Sequence, residues 1–243
     1  MTEKLLSTDR RIENVRENYK IIQDRIAEAA VKSGRNPEDV RFMAVTKTVE
    51  PALINAAIEE GITLIGENRV QEFLGKESEL HLEGVEKHLI GHLQKNKVRQ
   101  IVGKVEMIES VDSADIAREI SKRSEMQGIT TDVLLEVNIG GEASKFGFSP
   151  DTLEDNLAFI SELSHIRVRG LMSIPPICDE KAQIRQFFSQ MNELYIDFSA
   201  KIFNNINMNI LSMGMSGDYY EAILEGSNLV RVGSALFGNR IYR

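Results

Sequence analysis

A lysine stands directly after a short apolar run near the start of the sequence. The run FMAVT (42–46) has the composition of a buried β-strand, and Lys47 follows at its end. Partial removal from water favours the neutral form of an amine, which is the form that attacks a carbonyl carbon. Lys47 is therefore a candidate for a Schiff base with an aldehyde or ketone. The alternative is a surface lysine whose aliphatic stem packs on the protein while its ammonium group extends to water.

Two segments near the other end of the sequence combine small residues with hydroxyl groups. The first is SMGMSGD (212–218), and the second is RVGSALFG (231–238). The candidate anion-binding residues in these segments are Ser216, Gly217, Gly233 and Ser234. At the start of a helix, such residues leave backbone N–H groups available to an anion, and the helix dipole favours the negative charge. Turns use the same residues, so it is the pairing of the two segments that predicts a phosphate-binding site.

An arginine lies inside the last apolar run. Arg231 stands between Val230 and Val232, and the two-residue period of a strand puts it on the face opposite those valines. If that face lines the interior, the guanidinium can donate to a ring nitrogen, and it has no capacity to accept a proton. The alternative is a buried pair with a core carboxylate such as Glu67 or Glu136. A carbonyl-seeking lysine, a phosphate site and this arginine together describe a pocket for pyridoxal 5′-phosphate.

Short apolar runs alternate with amphipathic stretches along the chain. The eight runs are FMAVT (42–46), ITLIG (62–66), HLIG (88–91), VEMIES (105–110), DVLLEVN (132–138), VRGLMS (168–173), NILSMG (209–214) and LVRVG (229–233). The helical patterns include 7–32 before the first run and 51–60, 113–127, 150–163 and 181–203 between later runs. A strand followed by a helix, repeated, requires parallel pairing.

This alternation predicts the fold class and where its site lies. We expect a single domain over 1–243, a closed (β/α)₈ TIM barrel preceded by an extra N-terminal helix. An open doubly wound sheet is the alternative. In such a barrel ligands bind at the C-terminal ends of the strands, and the last two loops commonly hold a phosphate. Lys47 and both small-residue segments come at such strand ends.

Composition disfavours several classes of partner. The 29 Lys and Arg residues against 37 Asp and Glu give a formal net charge of −8, which disfavours nucleic acid or an anionic membrane as the main partner. The one cysteine, Cys178, rules out an internal disulfide, and no apolar run has the length of a signal peptide or membrane span. His88 and His92 are four residues apart, but no Cys or carboxylate cluster completes a metal site. We expect a cytoplasmic, monomeric protein without a metal.

Several segments identify a family. They are AVTKT (44–48), GENRVQE (66–72), HLIGHLQKNK (88–97), NIGGEASKFGF (138–148), GLMSIPP (170–176), SMGMSGDYYEAI (212–223) and VRVGSALFG (230–238). With them the sequence resembles, over nearly its whole length, the YggS/PROSC family of pyridoxal 5′-phosphate-binding proteins. The resemblance implies the barrel of the N-terminal domain of bacterial alanine racemase.

The resemblance also implies roles for particular residues. Lys47 is similar to the family lysine that binds the cofactor's aldehyde, and Arg231 to the arginine that faces its pyridine nitrogen. The implied phosphate-binding set is Ser216, Gly217, Gly233 and Ser234, and the further pocket residues are Asn68 and Met213. This sequence departs from the family at Lys87, where an aromatic residue is usual, and at Ser234, where threonine is frequent. The hydroxyl group is kept, so neither change threatens the pocket.

By this resemblance the protein binds pyridoxal 5′-phosphate and helps to control its supply without substantial turnover of its own. Three roles are open: delivery of the cofactor to apo-enzymes as partners, buffering of a reactive aldehyde and sensing of its level. The alternative is an amino-acid racemase. Most carbanion chemistry favours a pyridine nitrogen paired with a carboxylate, and an arginine weakens the ring as an electron sink, although the short-lived carbanion of racemisation needs less stabilisation. Racemisation also needs a second acid–base group. In alanine racemase a separate C-terminal domain supplies that group, and we expect no such domain after the eighth run. A Schiff-base aldolase also suits the barrel, but the segment matches argue against it.

Overall fold

The computed structural model describes residues 7–201 and 203–238, in which eight parallel strands close into a barrel in chain order. The strands are β1 (Arg41–Val45), β2 (Leu64–Glu67), β3 (Glu86–Leu89), β4 (Met107–Val111), β5 (Thr131–Glu136), β6 (Ile166–Met172), β7 (Ile206–Met215) and β8 (Leu229–Val232). The α-helices are α1 (Thr8–Lys32), α2 (Pro51–Glu59), α3 (Val70–Lys76), α4 (Val98–Ile101), α5 (Ala114–Gln127), α6 (Leu153–Ser161), α7 (Lys181–Ser199), α8 (Tyr219–Leu224) and α9 (Ser234–Phe237). Short 3₁₀ turns occupy Pro37–Asp39, Glu77–Glu79, Lys95–Lys97 and Pro150–Thr152.

The barrel closes where the first strand meets the last. Arg41 to Ala44 of β1 lie opposite Leu229 to Val232 of β8, so the sheet has no unpaired edge. The predicted closed barrel with a helix ahead of it is confirmed, and the open doubly wound sheet is wrong.

Helix α1 braces the part of the barrel that carries the last two loops. Ser7 caps it, its Oγ accepting from the Arg10 N–H at 3.3 Å. Its buried stripe consists of Val15, Ile22, Ile26, Ala29 and Ala30. This stripe packs on α2, α8 and α9, and the Asn18 side chain donates to the Leu236 carbonyl at 3.0 Å. The two short helices after β7 and β8 are thereby fixed.

None of the described helices is both long and apolar enough to cross a bilayer.

An inner apolar layer fills the barrel. Its members are Met43, Val45, Leu64, Ile90, Met107, Leu134, Met172, Ile210 and Leu229. Gly66 of β2 belongs to the same face, where an added Cβ would lie 2.3 Å from Met43 Sδ. The inner layer is therefore packed so closely at Gly66 that a side chain at this position would clash with Met43. A separate and larger apolar layer lies between the strands and the surrounding helices.

Some boundaries differ from those predicted. Strand β3 begins at Glu86, two residues before the apolar run at 88–91, because Glu86 and Lys87 pair with β2 although they are polar. The helix predicted over 181–203 ends at Ser199. Phe203 still packs on the core from the loop beyond, so the apolar pattern outlasts the helix. The helix predicted over 150–163 is a 3₁₀ turn followed by α6.

Candidate functional site

A cavity of about 260 Å³ opens at the C-terminal ends of the strands. Its lining residues are Val45, Lys47, Asn68, Ile90, Ile174, Met215, Ser216, Gly217, Arg231, Gly233 and Ser234. Of the eight residues predicted from the sequence, all but Met213 are in this set. The structure thus brings the amine, the arginine and both small-residue segments to one cavity.

The loops after β7 and β8 are joined by the side chain of Ser216. Its Oγ accepts from the backbone N–H groups of Gly233, at 3.1 Å, and Ala235, at 3.2 Å. Because these N–H groups occupy the oxygen's lone pairs, its own proton remains available to an acceptor in the cavity. Ser234, which stands between Gly233 and Ala235 in the sequence, also lines the cavity. The space beside Gly217 is open, since an added Cβ there would meet no atom within 4 Å. The loop pair therefore offers hydrogen-bond donors and open space to an anion.

The side chain of Asn68 presents an unsatisfied oxygen. Strand β2 ends at Glu67, whose Oε1 accepts the backbone N–H of Asn68 at 2.9 Å. Asn68 lines the cavity, and its Oδ1 is buried without a hydrogen-bond partner among the described residues. A buried acceptor left unpaired is unfavourable, so a ligand that brings a hydroxyl group to this point gains a hydrogen bond.

Arg231 lies in the barrel interior, at one end of a chain of hydrogen bonds. This chain, called the buried row below, consists of Arg231, Ser212, Glu109 and His88. Arg231 Nη1 donates to Ser212 Oγ at 2.6 Å, and its Nη2 donates to the Ser173 carbonyl at 2.9 Å. Ser212 donates in turn to Glu109 Oε2 at 2.6 Å, and Glu109 Oε1 lies 2.7 Å from Nδ1 of His88. Arg231 is only 4% exposed, and Glu109 is fully buried. The row therefore links the cavity to the middle of the barrel.

The groups in this row shift one another's charge states. Burial lowers the pKa of Arg231, and Glu109, Glu136 and Asp218 oppose that effect. Burial favours neutral Glu109, but His88, Arg231 and Ser212 outweigh it and lower the pKa of this carboxyl. Burial also disfavours charged His88, but Glu109 and Glu86 outweigh it and raise the pKa of the imidazole. The row thus favours a buried carboxylate between two cations.

The carboxylate that pairs with Arg231 is one that the sequence did not single out. Glu67, suggested as a partner, instead pairs with Lys76 of α3, its Oε2 lying 2.5 Å from Lys76 Nζ, so that suggestion is wrong. Glu136 acts on Arg231 through charge, and its pKa rises to about 7 because of burial and nearby Asp112. The carboxylate connected to Arg231 by hydrogen bonds is Glu109, with the Ser212 hydroxyl between the two. The available signal was a glutamate within the apolar run VEMIES.

Met213 is the predicted residue that the structure does not bring to the cavity. It is fully buried in the apolar layer between the barrel and the helices, and Met215 lines the cavity instead. Ile210 and Ser212 face the barrel interior, so the two-residue period of the strand turns Met213 outward. The β7–β8 pairing then shifts register between Ser212 and Met215, and this shift accounts for Met215 facing inward at the strand end.

The two histidines of the HLIGHLQKNK segment serve different surroundings. His88 belongs to the buried row, whereas His92 Nδ1 lies 2.7 Å from Asp112 Oδ2 and its ring stacks on Phe146. Within residues 7–201 and 203–238, no three His, Cys, Asp or Glu side chains gather as a metal-ligand set. The spacing of four therefore reflects two separate hydrogen bonds.

Comparison with known proteins gives a consistent set of similarities. The family described as alanine racemase, N-terminal domain, matches residues 11–240. The pyridoxal phosphate homeostasis protein of Aquifex aeolicus is 40% identical over 229 residues, covering 94% of this chain and 100% of that protein.

Solved structures are similar to most of this chain. An unknown protein from Bifidobacterium adolescentis matches with a TM-score of 0.88 and 38% identity, covering 95% of this chain and 97% of that one. PipY of Synechococcus elongatus PCC7942, solved with pyridoxal phosphate bound, matches with a TM-score of 0.77 and 33% identity, covering 88% of this chain and 100% of its own.

Proposed function

This chain belongs to the family of pyridoxal phosphate homeostasis proteins, and on that premise we propose that it binds pyridoxal 5′-phosphate and helps to maintain its supply in the cell. The proposal includes a cytoplasmic location, a monomeric state and transfer of the cofactor to apo-enzymes. Each of these three points is inferred from the composition of the chain or from its family relationship. PipY, a relative of known structure, holds the same cofactor.

One observation carries the proposal: the amine, the arginine and the anion-binding loops line a single cavity. None of the three alone is specific, because lysines, buried arginines and serine–glycine turns are common. Their convergence matches the aldehyde, ring nitrogen and phosphate of one small molecule. The unsatisfied Asn68 oxygen matches a fourth group, the ring hydroxyl.

Each residue has a definable task in this pocket. When bound, pyridoxal 5′-phosphate supplies an aldehyde that reacts reversibly with a primary amine. Lys47 would hold the cofactor covalently, and the hydroxyl groups of Ser216 and Ser234 would bind the phosphate beside the open space at Gly217. Arg231 would donate to the ring nitrogen, held in place by Ser212 and the Ser173 carbonyl. Met215, Ile90 and Ile174 supply apolar contact to the ring.

We propose a binding role without substantial turnover because of the charge around Arg231. A guanidinium has no lone pair to accept a proton, so Arg231 leaves the ring nitrogen unprotonated. Glu109 reaches only the far side of this arrangement, through Ser212. A ring in this state stabilises a carbanion poorly, which disfavours most chemistry at an amino acid's α-carbon and favours storage and release; racemisation, for which a short-lived carbanion suffices, stays the alternative.

Borohydride reduction tests the proposal directly. Protein saturated with pyridoxal 5′-phosphate is expected to be yellow, and reduction followed by peptide mapping is expected to place the pyridoxyl mass on Lys47. Label confined to another lysine would refute the assignment. Incubation with single-enantiomer amino acids, read by chiral chromatography, is expected to show no sustained inversion. Rapid multiple turnovers would instead establish the racemase.

Replacement of Ser216 by alanine is expected to weaken retention of the cofactor. The change removes one hydroxyl donor to a charged phosphate, worth roughly 1.5–3 kcal/mol, or about tenfold to a hundredfold in Kd. Equilibrium dialysis measures the effect, with Ser199→Ala as a control because Ser199 is exposed on α7 and bonds only its own helix. An unchanged affinity in Ser216→Ala would exclude Ser216 from the phosphate site.

A further inference from the structure

The turn that carries Lys47 has a backbone conformation that threonine rarely adopts. Thr48 has a φ of 59°, in the left-handed region, where a β-branched side chain crowds the backbone. The Val49 N–H donates to the Thr46 carbonyl at 3.1 Å, which closes a four-residue turn around Lys47. Such a turn ordinarily has glycine where Thr48 stands. Contacts from outside the turn must therefore stabilise it.

Three charged side chains from β2 and α3 hold this turn from behind. Glu72 accepts a hydrogen bond from the Thr48 N–H. Lys76, one helical turn further along α3, donates to the Thr46 carbonyl at 2.8 Å, and its Nζ lies 3.2 Å from Glu72 Oε1. Glu67 completes the group, since its Oε2 lies 2.5 Å from Lys76 Nζ and accepts from the Thr46 hydroxyl at 3.1 Å.

Two members of this group, Glu67 and Lys76, are buried, although no member lines the cavity. The side chains of Lys76 and Glu67 are 9% and 2% exposed, and Glu72 is 25% exposed. Apolar side chains would fill this space with a smaller desolvation penalty. They would leave the Thr46 carbonyl and the Thr48 N–H without these hydrogen bonds. The charges are thus aimed at the two residues on either side of Lys47.

We infer that Glu72 and Lys76 are positioning residues that hold the turn at 46–49 in its strained form and so present Lys47 to the cavity. The inference rests on the proposed function, because it takes Lys47 as the point of covalent attachment. Without these contacts Thr48 returns to negative φ and the peptide between Lys47 and Thr48 rotates. The Lys47 amine then leaves the place where it meets the bound aldehyde.

Glu72→Met is the first test, since it removes the acceptor for the Thr48 N–H while leaving the buried Glu67–Lys76 pair intact. Covalent capture of pyridoxal 5′-phosphate, measured by borohydride labelling of Lys47, is expected to fall about tenfold. The affinity for pyridoxine 5′-phosphate, which has an alcohol in place of the aldehyde, is expected to stay within about twofold. The matched control is Glu77→Met, because Glu77 is 30% exposed and pairs with Lys104 away from the turn.

Glycine at position 48 provides the rescue. It adopts a positive φ without crowding, so Glu72→Met/Thr48→Gly is expected to recover covalent capture to within about threefold of the wild type. A purely structural role for Glu72 predicts no such recovery. A parallel loss of both ligands in Glu72→Met, or failure of the rescue, would overturn the inference.

A measurement without cofactor separates this inference from the proposed function. Backbone chemical shifts of residues 46–49 in the apo-protein are expected to show a left-handed residue 48 in the wild type and in the double variant, but not in Glu72→Met. A left-handed Thr48 in Glu72→Met would refute the positioning role whatever the cofactor does. Absence of label on Lys47 in the wild type would instead refute the proposed function.

Discussion

Replacement of Lys47 by alanine is expected to abolish covalent retention of pyridoxal 5′-phosphate. The loops around Ser216 and the Arg231 guanidinium remain, so the cofactor still binds, but only through reversible polar contacts. We expect the Kd to rise by at least about a hundredfold, equivalent to about 2.8 kcal/mol. Gel filtration of the saturated protein, followed by absorbance of the protein peak in the visible region, measures the retained fraction.

The comparison for this result is a lysine elsewhere on the surface. Lys20 is exposed on α1, away from the strand ends, and Lys20→Ala is expected to retain the cofactor as the wild type does. Retention of colour and of reducible label by Lys47→Ala would show that a different amine holds the cofactor. The cavity would then need another covalent residue, and the proposed role of Lys47 would fail.

Replacement of Glu109 by glutamine is expected to destabilise the protein although the site residues are unchanged. Glu109 is the buried carboxylate between His88 and, through Ser212, Arg231. Glutamine keeps the shape but removes the negative charge, which leaves buried cationic groups without their counter-charge. The free energy of unfolding is expected to fall by about 3 kcal/mol, measured by urea denaturation of the apo-protein.

The loss is expected to depend on pH in a defined direction. The folded pKa of Glu109 is below its ordinary value of 4.5, so its stabilising effect is complete above that pH and is lost in acid. The folded pKa of His88 is above its ordinary value of 6.5, so its effect is complete below that pH and is lost as pH rises through the folded pKa. The difference between wild type and Glu109→Gln is therefore expected to be largest between pH 4.5 and 6.5.

An exposed pair serves as the control for this experiment. Glu13, on α1, pairs with Arg10 and both side chains are more than half exposed, so Glu13→Gln is expected to leave stability unchanged at each pH. If Glu109→Gln has the same free energy of unfolding as the wild type across this pH range, the charge interactions of the buried row make no net contribution to stability. The link from Arg231 through Ser212 to Glu109 would then add no net stability.

Particular residues show how far sequence reasoning reached into this site. Lys47, Ser216 and Gly233 are predicted as site residues because each stands where an apolar run gives way to a turn, which is a local property of the chain, and all three line the cavity. Arg231 was placed inward by the two-residue period of a strand, and it does lie in the interior. Met213 was placed in the pocket by resemblance alone, and the irregular end of β7 brings Met215 there instead.

The sequence by itself determined the class of fold and the chemical types of the pocket. Alternating strand and helix patterns require parallel pairing, and amine, guanidinium and hydroxyl groups keep their chemistry wherever they are placed. Only the tertiary structure decided which carboxylate supports Arg231 and which side chains hold the turn around Lys47. The reason is physical: these contacts join residues of different strands and helices, and strand register and barrel closure bring them within hydrogen-bonding distance.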